Sequence, residues 1–142
     1  MSNVQQLPIG VFDSGVGGLS VLKVLQEQFP NEDFIYIGDN ANNPVGNRSD
    51  DEITYLACHI AEALEKQPVK LMVIACNTFT VVALDAVRER VSVPVIGVSQ
   101  GVKTAISQSK SKTIGIMATA ATVNSHIHKH VALEVDHEVL VW

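Results

Sequence analysis

Residues 9–20 read IGVFDSGVGGLS, which is an apolar run followed by a glycine-rich turn and the start of an amphipathic segment. Short apolar runs alternate with longer amphipathic ones along the rest of the chain. This alternation is typical of βαβ units, which build a parallel sheet covered by helices on both faces. We therefore predict an α/β fold with a parallel sheet flanked by helices. The candidate strands are Leu7–Phe12, Asp33–Ile37, Leu71–Ala75, Val93–Val98, Thr113–Met117 and a sixth near Glu138–Val141.

The composition is that of a folded domain of ordinary size. The chain has 142 residues, of which 46% are apolar and 18% charged, and this balance excludes intrinsic disorder. The net charge is −5 with no block of basic residues, so neither nucleic acid nor an anionic membrane surface is an expected partner. No apolar run approaches the ~20 residues of a membrane-spanning helix, and the first residues lack the pattern of a secretory signal. We expect a cytoplasmic protein in which Cys58 and Cys76 are free thiols.

A helix is predicted after Ser49, because Ser49 and Glu52 form a capping-box pattern with further carboxylates at the positive end of the helix dipole. Cys58 and His59 lie off the apolar stripe of this helix, so we expect both at flank or surface positions rather than in a catalytic site. The predicted core stripe consists of Ile53, Leu56, Ala57, Ile60 and Leu64.

The turn after the first strand carries the first candidate site residues. Asp13 and Ser14 stand at the predicted carboxyl end of that strand, where open α/β sheets bind ligands. A nucleotide-binding G-x-G-x-x-G pattern needs a glycine where this chain has Ser20, and no G-K-[ST] follows. The carboxylate of Asp13 would also repel a phosphate, whereas it suits an ammonium group or a neighbouring acid or base. A second interpretation stays open, in which the glycines only permit a tight turn and Asp13 caps a helix.

A second polar segment follows the predicted strand at Leu71–Ala75. Cys76 stands between this strand and the next helix, and the positive end of a helix stabilises a thiolate. Asn77 and Thr78 supply hydrogen-bond donors at the same terminus, which suits the carboxylate of a small molecule. The alternative is that Cys76 is a small buried apolar residue and that Asn77 or Thr78 is a helix N-cap.

Two further segments hold polar residues. The loop GDNANNPVGNRS at Gly38–Ser49 leaves the second strand and is either functional or a solvated turn. His126, His128 and His130 follow the spacing H-x-H-x-H. Because their segment looks helical, only His126 and His130 share a face, so we expect solvated histidines and no metal site.

Three of these segments match one family in order and spacing: GVFDSGVGGL at Gly10–Leu19, GDNANNPVGNRS at Gly38–Ser49 and IACNT at Ile74–Thr78. The chain resembles the N-terminal half of the glutamate racemases of the aspartate/glutamate racemase family, and the similarity spans nearly the whole chain. The resemblance implies a racemase-type, flavodoxin-like fold. It also implies a cytoplasmic isomerase that needs no cofactor and interconverts L- and D-glutamate for peptidoglycan synthesis.

The resemblance further implies roles for individual residues. Family members use two cysteine bases on opposite faces of the substrate Cα, and Cys76 matches the first of them. Asp13 is implied to assist that thiol and, together with Ser14, to line the substrate site. Asn77 and Thr78 are implied to hold the substrate carboxylates.

Some positions depart from the family pattern. The family's P-Y-G reads P-V-G here, so an aromatic wall is missing, while the backbone N–H groups of Val45 and Gly46 remain candidate substrate donors. Phe79 stands where the family has a small residue and is expected to reshape the pocket. Thr119 lies in a segment that resembles a family loop near the substrate and is a further candidate. These changes leave an aspartate- or hydantoin-type racemase as the alternative enzyme.

The family's second thiol base belongs to the second half of its chain, and this sequence ends at Trp142. The resemblance implies two similar α/β domains with the active site between them. Residues 1–97 would form most of the first domain and residues 98–142 the beginning of the second. We expect this chain alone to have weak racemase activity or none. The alternative from another functional class is a non-catalytic module that binds an acidic amino acid. Assembly as a homo-oligomer stays open.

Overall fold

The structure is a computed structural model, and it describes residues 4–98, 101–111, 113–125, 127–135 and 140–141. Its strands are β1 (Ile9–Asp13), β2 (Phe34–Gly38), β3 (Leu71–Ile74), β4 (Val95–Gly97), β5 (Thr113–Ile114) and β6 (Leu140–Val141). Its α-helices are α1 (Leu19–Gln28), α2 (Asp50–Glu65), α3 (Asn77–Arg90), α4 (Val102–Gln108), α5 (Ala120–Asn124) and α6 (Ile127–Val135).

Four strands form a parallel sheet in the order β2-β1-β3-β4, and β5 and β6 form a separate parallel pair. All five residues of β1 are buried, as expected for a central strand with helices on both faces. The predicted fold class is therefore confirmed, with strand ends that differ from the predicted ends by a few residues. None of the described helices is long and apolar enough to cross a membrane.

Alternate residues of β1 build the two faces of the core, because successive side chains of a strand point to opposite sides. Phe12 belongs to the larger cluster, which the sheet forms with α2 and α3. Val11 belongs to the other face, where α1 covers the sheet with Val21, Leu22 and Leu25. A third, smaller cluster joins α4, β5 and α6 and consists of Val102, Ile106, Ile114 and Ala132.

The predicted start of α2 is confirmed. Ser49 is its N-cap, and its side chain accepts a hydrogen bond from the backbone N–H of Glu52 at 3.3 Å. The Glu52 carboxylate accepts one in return from the backbone N–H of Ser49 at 3.1 Å. The Ser49 hydroxyl also donates to the same carboxylate oxygen at 3.1 Å. The two bonds that Ser49 donates, from its backbone N–H and its hydroxyl, lower the pKa of Glu52, because they stabilise its charged form.

The prediction for Cys58 is wrong, because its side chain is buried. The apolar stripe of α2 faces the sheet, but α3 packs against a neighbouring side of the same helix and covers Cys58 as well. His59, one residue on, is exposed as predicted. The helix predicted around residues 120–133 is also divided, since α5 ends at Asn124 and α6 begins at Ile127.

Candidate active site

The candidate site lies at the carboxyl ends of β1 and β3, which are neighbours in the sheet. Asp13 is the last residue of β1, and Cys76 follows β3 as the N-cap of α3. The backbone N–H of Ala75 donates to the carbonyl of Phe12 at 2.8 Å, so the two strands stay paired up to the site. The sheet thus brings together two residues that are 63 positions apart in the sequence (76 minus 13). This edge is where open α/β sheets bind ligands.

Cys76 is a buried free thiol at this edge. Its Sγ donates to the hydroxyl oxygen of Ser14 at 3.4 Å, and both side chains are less than a tenth exposed. The carbonyl of Cys76 accepts the N–H of Thr80 at 2.9 Å, which closes the first turn of α3. The first N–H groups of a helix have no partner within the helix, so they are available to an anion beside Cys76. Cys76 itself is the N-cap of α3, so neither Asn77 nor Thr78 has that role, whereas the burial of Cys76 agrees with the other part of that alternative.

Asp13 is buried beside the glycine-rich turn. One of its carboxylate oxygens, Oδ2, accepts the backbone N–H of Gly15 at 2.9 Å. The N-cap of α1 is Gly18, without a side-chain hydrogen bond, so Asp13 does not cap that helix. Asp13 is therefore a buried carboxylate held by a local backbone donor next to Ser14.

Four polar side chains form a hydrogen-bonded group that connects α3 with α5. Asn77 Nδ2 donates to Thr122 Oγ1 at 3.3 Å, and Thr119 Oγ1 donates to Thr122 Oγ1 at 3.1 Å. Thr78 Oγ1 lies 3.1 Å from Thr119 Oγ1 and donates to it, because a hydroxyl has a single proton and that of Thr119 is used by Thr122. Thr119 thus contacts Thr78, another candidate site residue. The sequence reasoning missed Thr122, although its spacing of three residues from Thr119 placed both on one helical turn.

The loop that precedes α2 contacts α5, the helix that carries part of this hydrogen-bonded group. The carbonyl of Gly46 accepts the N–H of Ala121 at 3.3 Å. The Val45 side chain is buried in the larger core cluster, so it is the backbone of this loop that faces the site region. Gly46 therefore lies beside α5, with Val45 next to it in the loop, while Asp13, Ser14 and Cys76 lie at the carboxyl ends of β1 and β3.

Phe79 does not have the predicted position. Its side chain is fully buried and packs against Phe12, with the two ring centroids 6.4 Å apart. Because α3 turns the residue three positions after Cys76 towards the sheet, the ring belongs to the core and does not line the site.

The histidine segment also differs from its prediction. His130 is exposed, as expected, and His126 lies outside the described residues. His128 is buried, and neither of its ring nitrogens has a hydrogen-bond partner among the described residues. It lines a cavity of about 320 Å³, and the lining also includes Asn77, Val102, Ile114, Ile116 and Met117. Among the described residues, no three His, Cys, Asp or Glu side chains come close enough to hold a metal ion.

Acidification is expected to destabilise the protein through His128. Burial lowers the pKa of His128 below 6.5, and among the described residues no other side chain that lines the cavity is charged. The unfolded chain therefore binds a proton on this side chain more tightly than the folded protein does. The free energy of unfolding is thus highest above about pH 6.5 and decreases as the pH falls towards and through the folded-state pKa of His128. Thermal melts between about pH 7 and pH 5 should show a smaller decrease in Tm for His128→Leu than for the wild type.

The exposed His59 provides the matched control for that experiment. His59→Gln should keep the pH dependence of the wild type. An identical pH dependence in His128→Leu would contradict the role of His128.

This geometry suits proton transfer on a small carboxylate-bearing molecule. Cys76 and Asp13 are buried proton-transfer groups at one sheet edge, and the N-terminus of α3 with Asn77 and Thr78 offers donors to an anion. The glycine-rich turn follows a strand that ends in a carboxylate, which does not suit a phosphate.

Comparison with known proteins agrees with this interpretation of the site. The family described as Asp/Glu/Hydantoin racemase matches residues 9–141. The chain is 45% identical to a glutamate racemase of Picosynechococcus over 143 aligned positions, which cover 100% of this chain and 50% of that protein. Its fold is similar to that of the glutamate racemase from Aquifex pyrophilus, with a TM-score of 0.87, 40% identity, and coverage of 95% of this chain and 54% of that one.

A further similar structure is a glutamate racemase from Francisella tularensis in complex with D-glutamate. It has a TM-score of 0.82 and 41% identity, and the match covers 96% of this chain and 52% of that one. The chain thus spans about half the length of the relatives it matches.

Proposed function

Because the chain belongs to the Asp/Glu/hydantoin racemase family, we propose that it carries the first half of a glutamate racemase site. The observation that supports this most strongly is the position of Cys76, a buried thiol at the N-terminus of α3 with its Sγ bonded to Ser14. The complex of a similar racemase with D-glutamate supports glutamate as the substrate. The proposed role is to supply D-glutamate for peptidoglycan in the cytoplasm, with no cofactor.

In this proposal, Cys76 exchanges the α-proton of glutamate. As a thiolate it takes the proton from Cα, and as a thiol it returns one. Ser14 can serve both states, because its hydroxyl accepts from the thiol and rotates to donate to the thiolate. Asp13 lies beside this pair, where a carboxylate orients the thiol and accepts a hydrogen bond from an ammonium group.

The substrate carboxylates would bind at the N-terminus of α3. The first backbone N–H groups of that helix, with Asn77 and Thr78, provide donors in one place. Negative charge builds into the α-carboxylate as the Cα proton leaves, so donors fixed there stabilise the transition state. The hydroxyl group of Thr119 and the backbone of Val45 and Gly46 border this position.

Inversion at Cα needs a second proton-transfer group on the opposite face of the substrate. Cys58 does not supply it, because it lies on α2 and lines a pocket with Tyr55, Glu62 and Arg90 that contains none of the candidate site residues. We propose that a second thiol, in the half of the racemase that this chain does not span, completes the site. A non-catalytic module that binds an acidic amino acid is the second candidate, and the single thiol of this half-site favours it.

The domain boundary is part of the same proposal. We assign residues 1–97 to a first α/β domain and residues 98–142 to the beginning of a second one. The separate apolar cluster of α4, β5 and α6 supports this division.

Alkylation of the two cysteines tests the site. Burial raises the pKa of the Cys58 thiol, which makes it a poor nucleophile and an internal control. Under limiting iodoacetamide, peptide mass spectrometry should find Cys76 modified faster than Cys58. Saturating D- or L-glutamate should slow the labelling of Cys76 several-fold and leave Cys58 unchanged, while lysine should protect neither. Equal labelling of both thiols, with no effect of glutamate, would reject the site.

A further inference from the structure

Tyr36 is a tyrosine on β2 whose hydroxyl group reaches into the glycine-rich turn. Its ring lies on the strand next to β1, where Tyr36 pairs in register with Val11. The hydroxyl donates to the carbonyl of Gly15 at 2.9 Å, across 21 positions of sequence. The N–H of the same Gly15 donates to the Asp13 carboxylate at 2.9 Å. A single residue of the turn therefore joins Tyr36 to Asp13.

We propose that Tyr36 is a positioning residue that fixes the Asp13 carboxylate, through the backbone of Gly15, at the sheet edge that also holds Cys76. This inference rests on the proposed function, because it concerns the carboxylate that assists the thiol. Tyr36 does not act on the substrate itself, since its hydroxyl proton is used by the Gly15 carbonyl.

The neighbours of Gly15 restrict the orientation of its carbonyl group. On one side lies the Tyr36 hydroxyl, and on another lies Gly38, where an added Cβ would come within 2.2 Å of the Gly15 carbonyl oxygen. The backbone N–H of Asp39 also donates to the carbonyl of Asp13 at 3.0 Å. The end of β2 therefore holds the turn from both of its sides, and rotation of the Gly15 peptide would break the bond to Tyr36.

Gly18 closes the arrangement. A Cβ at Gly18 would lie 2.7 Å from Asp13 Cβ, 2.9 Å from Ala75 Cβ and 2.9 Å from the Tyr36 hydroxyl oxygen. The position therefore has no room for a side chain without a shift of one of these neighbours.

The surroundings of the Tyr36 hydroxyl group keep it protonated, so it remains a hydrogen-bond donor. Burial raises the pKa of Tyr36, and the nearby charges of Asp13 and Cys76 raise it further. The hydroxyl thus remains protonated over the pH range in which a cysteine thiol normally ionises, and the bond to Gly15 persists in both states of the thiol.

The pH profile of Cys76 alkylation tests the proposal without requiring racemisation, so a failed activity assay leaves this test interpretable. Asp13→Asn removes the carboxylate and should change the pH profile of this labelling. Tyr36→Phe keeps the ring and removes the hydrogen-bond donor to Gly15, and it should change the profile in the same direction as Asp13→Asn. In the Asp13→Asn background, Tyr36→Phe should produce no further shift.

Tyr55→Phe is the matched control, because it removes the hydroxyl of an exposed tyrosine on α2 and should leave the profile unchanged. Gly18→Ala provides a second route, since its methyl group would come within 3 Å of Asp13 Cβ and of the Tyr36 hydroxyl oxygen and displace them, and it should shift the profile in the direction of Tyr36→Phe. An unshifted profile in Tyr36→Phe and Gly18→Ala would overturn the proposal. A shift from Tyr36→Phe that is equal with and without the Asp13 carboxylate would also overturn the proposal, because Tyr36 would then act independently of Asp13.

Discussion

In deuterated buffer, this chain is expected to exchange the α-proton of D-glutamate with solvent and to form no L-glutamate. Cys76 stands alone as a thiol at the site, and Cys58 lies apart on α2, so the proton can leave and return on one face only. The exchange should be slow, because an open half-site leaves the substrate hydrated and weakens the contacts that stabilise the developing charge. Proton NMR of each enantiomer, alongside polarimetry, measures exchange and inversion separately.

The matched variants are Cys76→Ser and Cys58→Ser. A positioned general base contributes about 10²–10⁴ in rate, so Cys76→Ser should reduce exchange by at least about 100-fold. Cys58→Ser should leave it unchanged. Full racemisation that survives Cys76→Ser would show that the proposed thiol mechanism is wrong, while binding of glutamate without exchange would favour the non-catalytic module.

Replacing Phe79 by alanine should cost a large part of the stability of the fold. The ring is fully buried among α2, α3 and the sheet and packs on Phe12. Truncation of a buried phenylalanine costs about 3–5 kcal/mol, whereas the free energy of unfolding of a domain is about 5–15 kcal/mol in total. Urea unfolding followed by circular dichroism should therefore show a large decrease in the midpoint.

Phe29→Ala makes the same chemical change at a half-exposed position and should alter the free energy of unfolding by less than about 0.5 kcal/mol. Phe79→Leu retains most of the buried apolar volume and should fall between the two. If Phe79→Ala were as stable as the wild type, the ring would not be the core anchor that its burial indicates.

Local patterns predicted much of the fold. The alternation of apolar and amphipathic runs specified a parallel sheet, since each pattern depends on residues close in sequence. The capping box specified where α2 begins, because its two hydrogen bonds span only three residues. Strand-end polarity at Asp13, Ser14 and Cys76 specified the sheet edge that holds the candidate site, because all parallel strands present their carboxyl ends to one side.

The tertiary structure alone decided which side chains meet. The period of α2 predicts the face towards the sheet, but Cys58 lies off that face and is buried in the core cluster that α2 shares with α3 and the sheet. Likewise Tyr36 reads as an ordinary strand residue, and its bond to Gly15 exists because β2 pairs with β1. The burial of His128 depends on α4 and β5 packing against α6. Each of these contacts joins elements that are distant in sequence. Contacts of this kind depend on how whole elements pack together, and a local periodicity does not encode that packing.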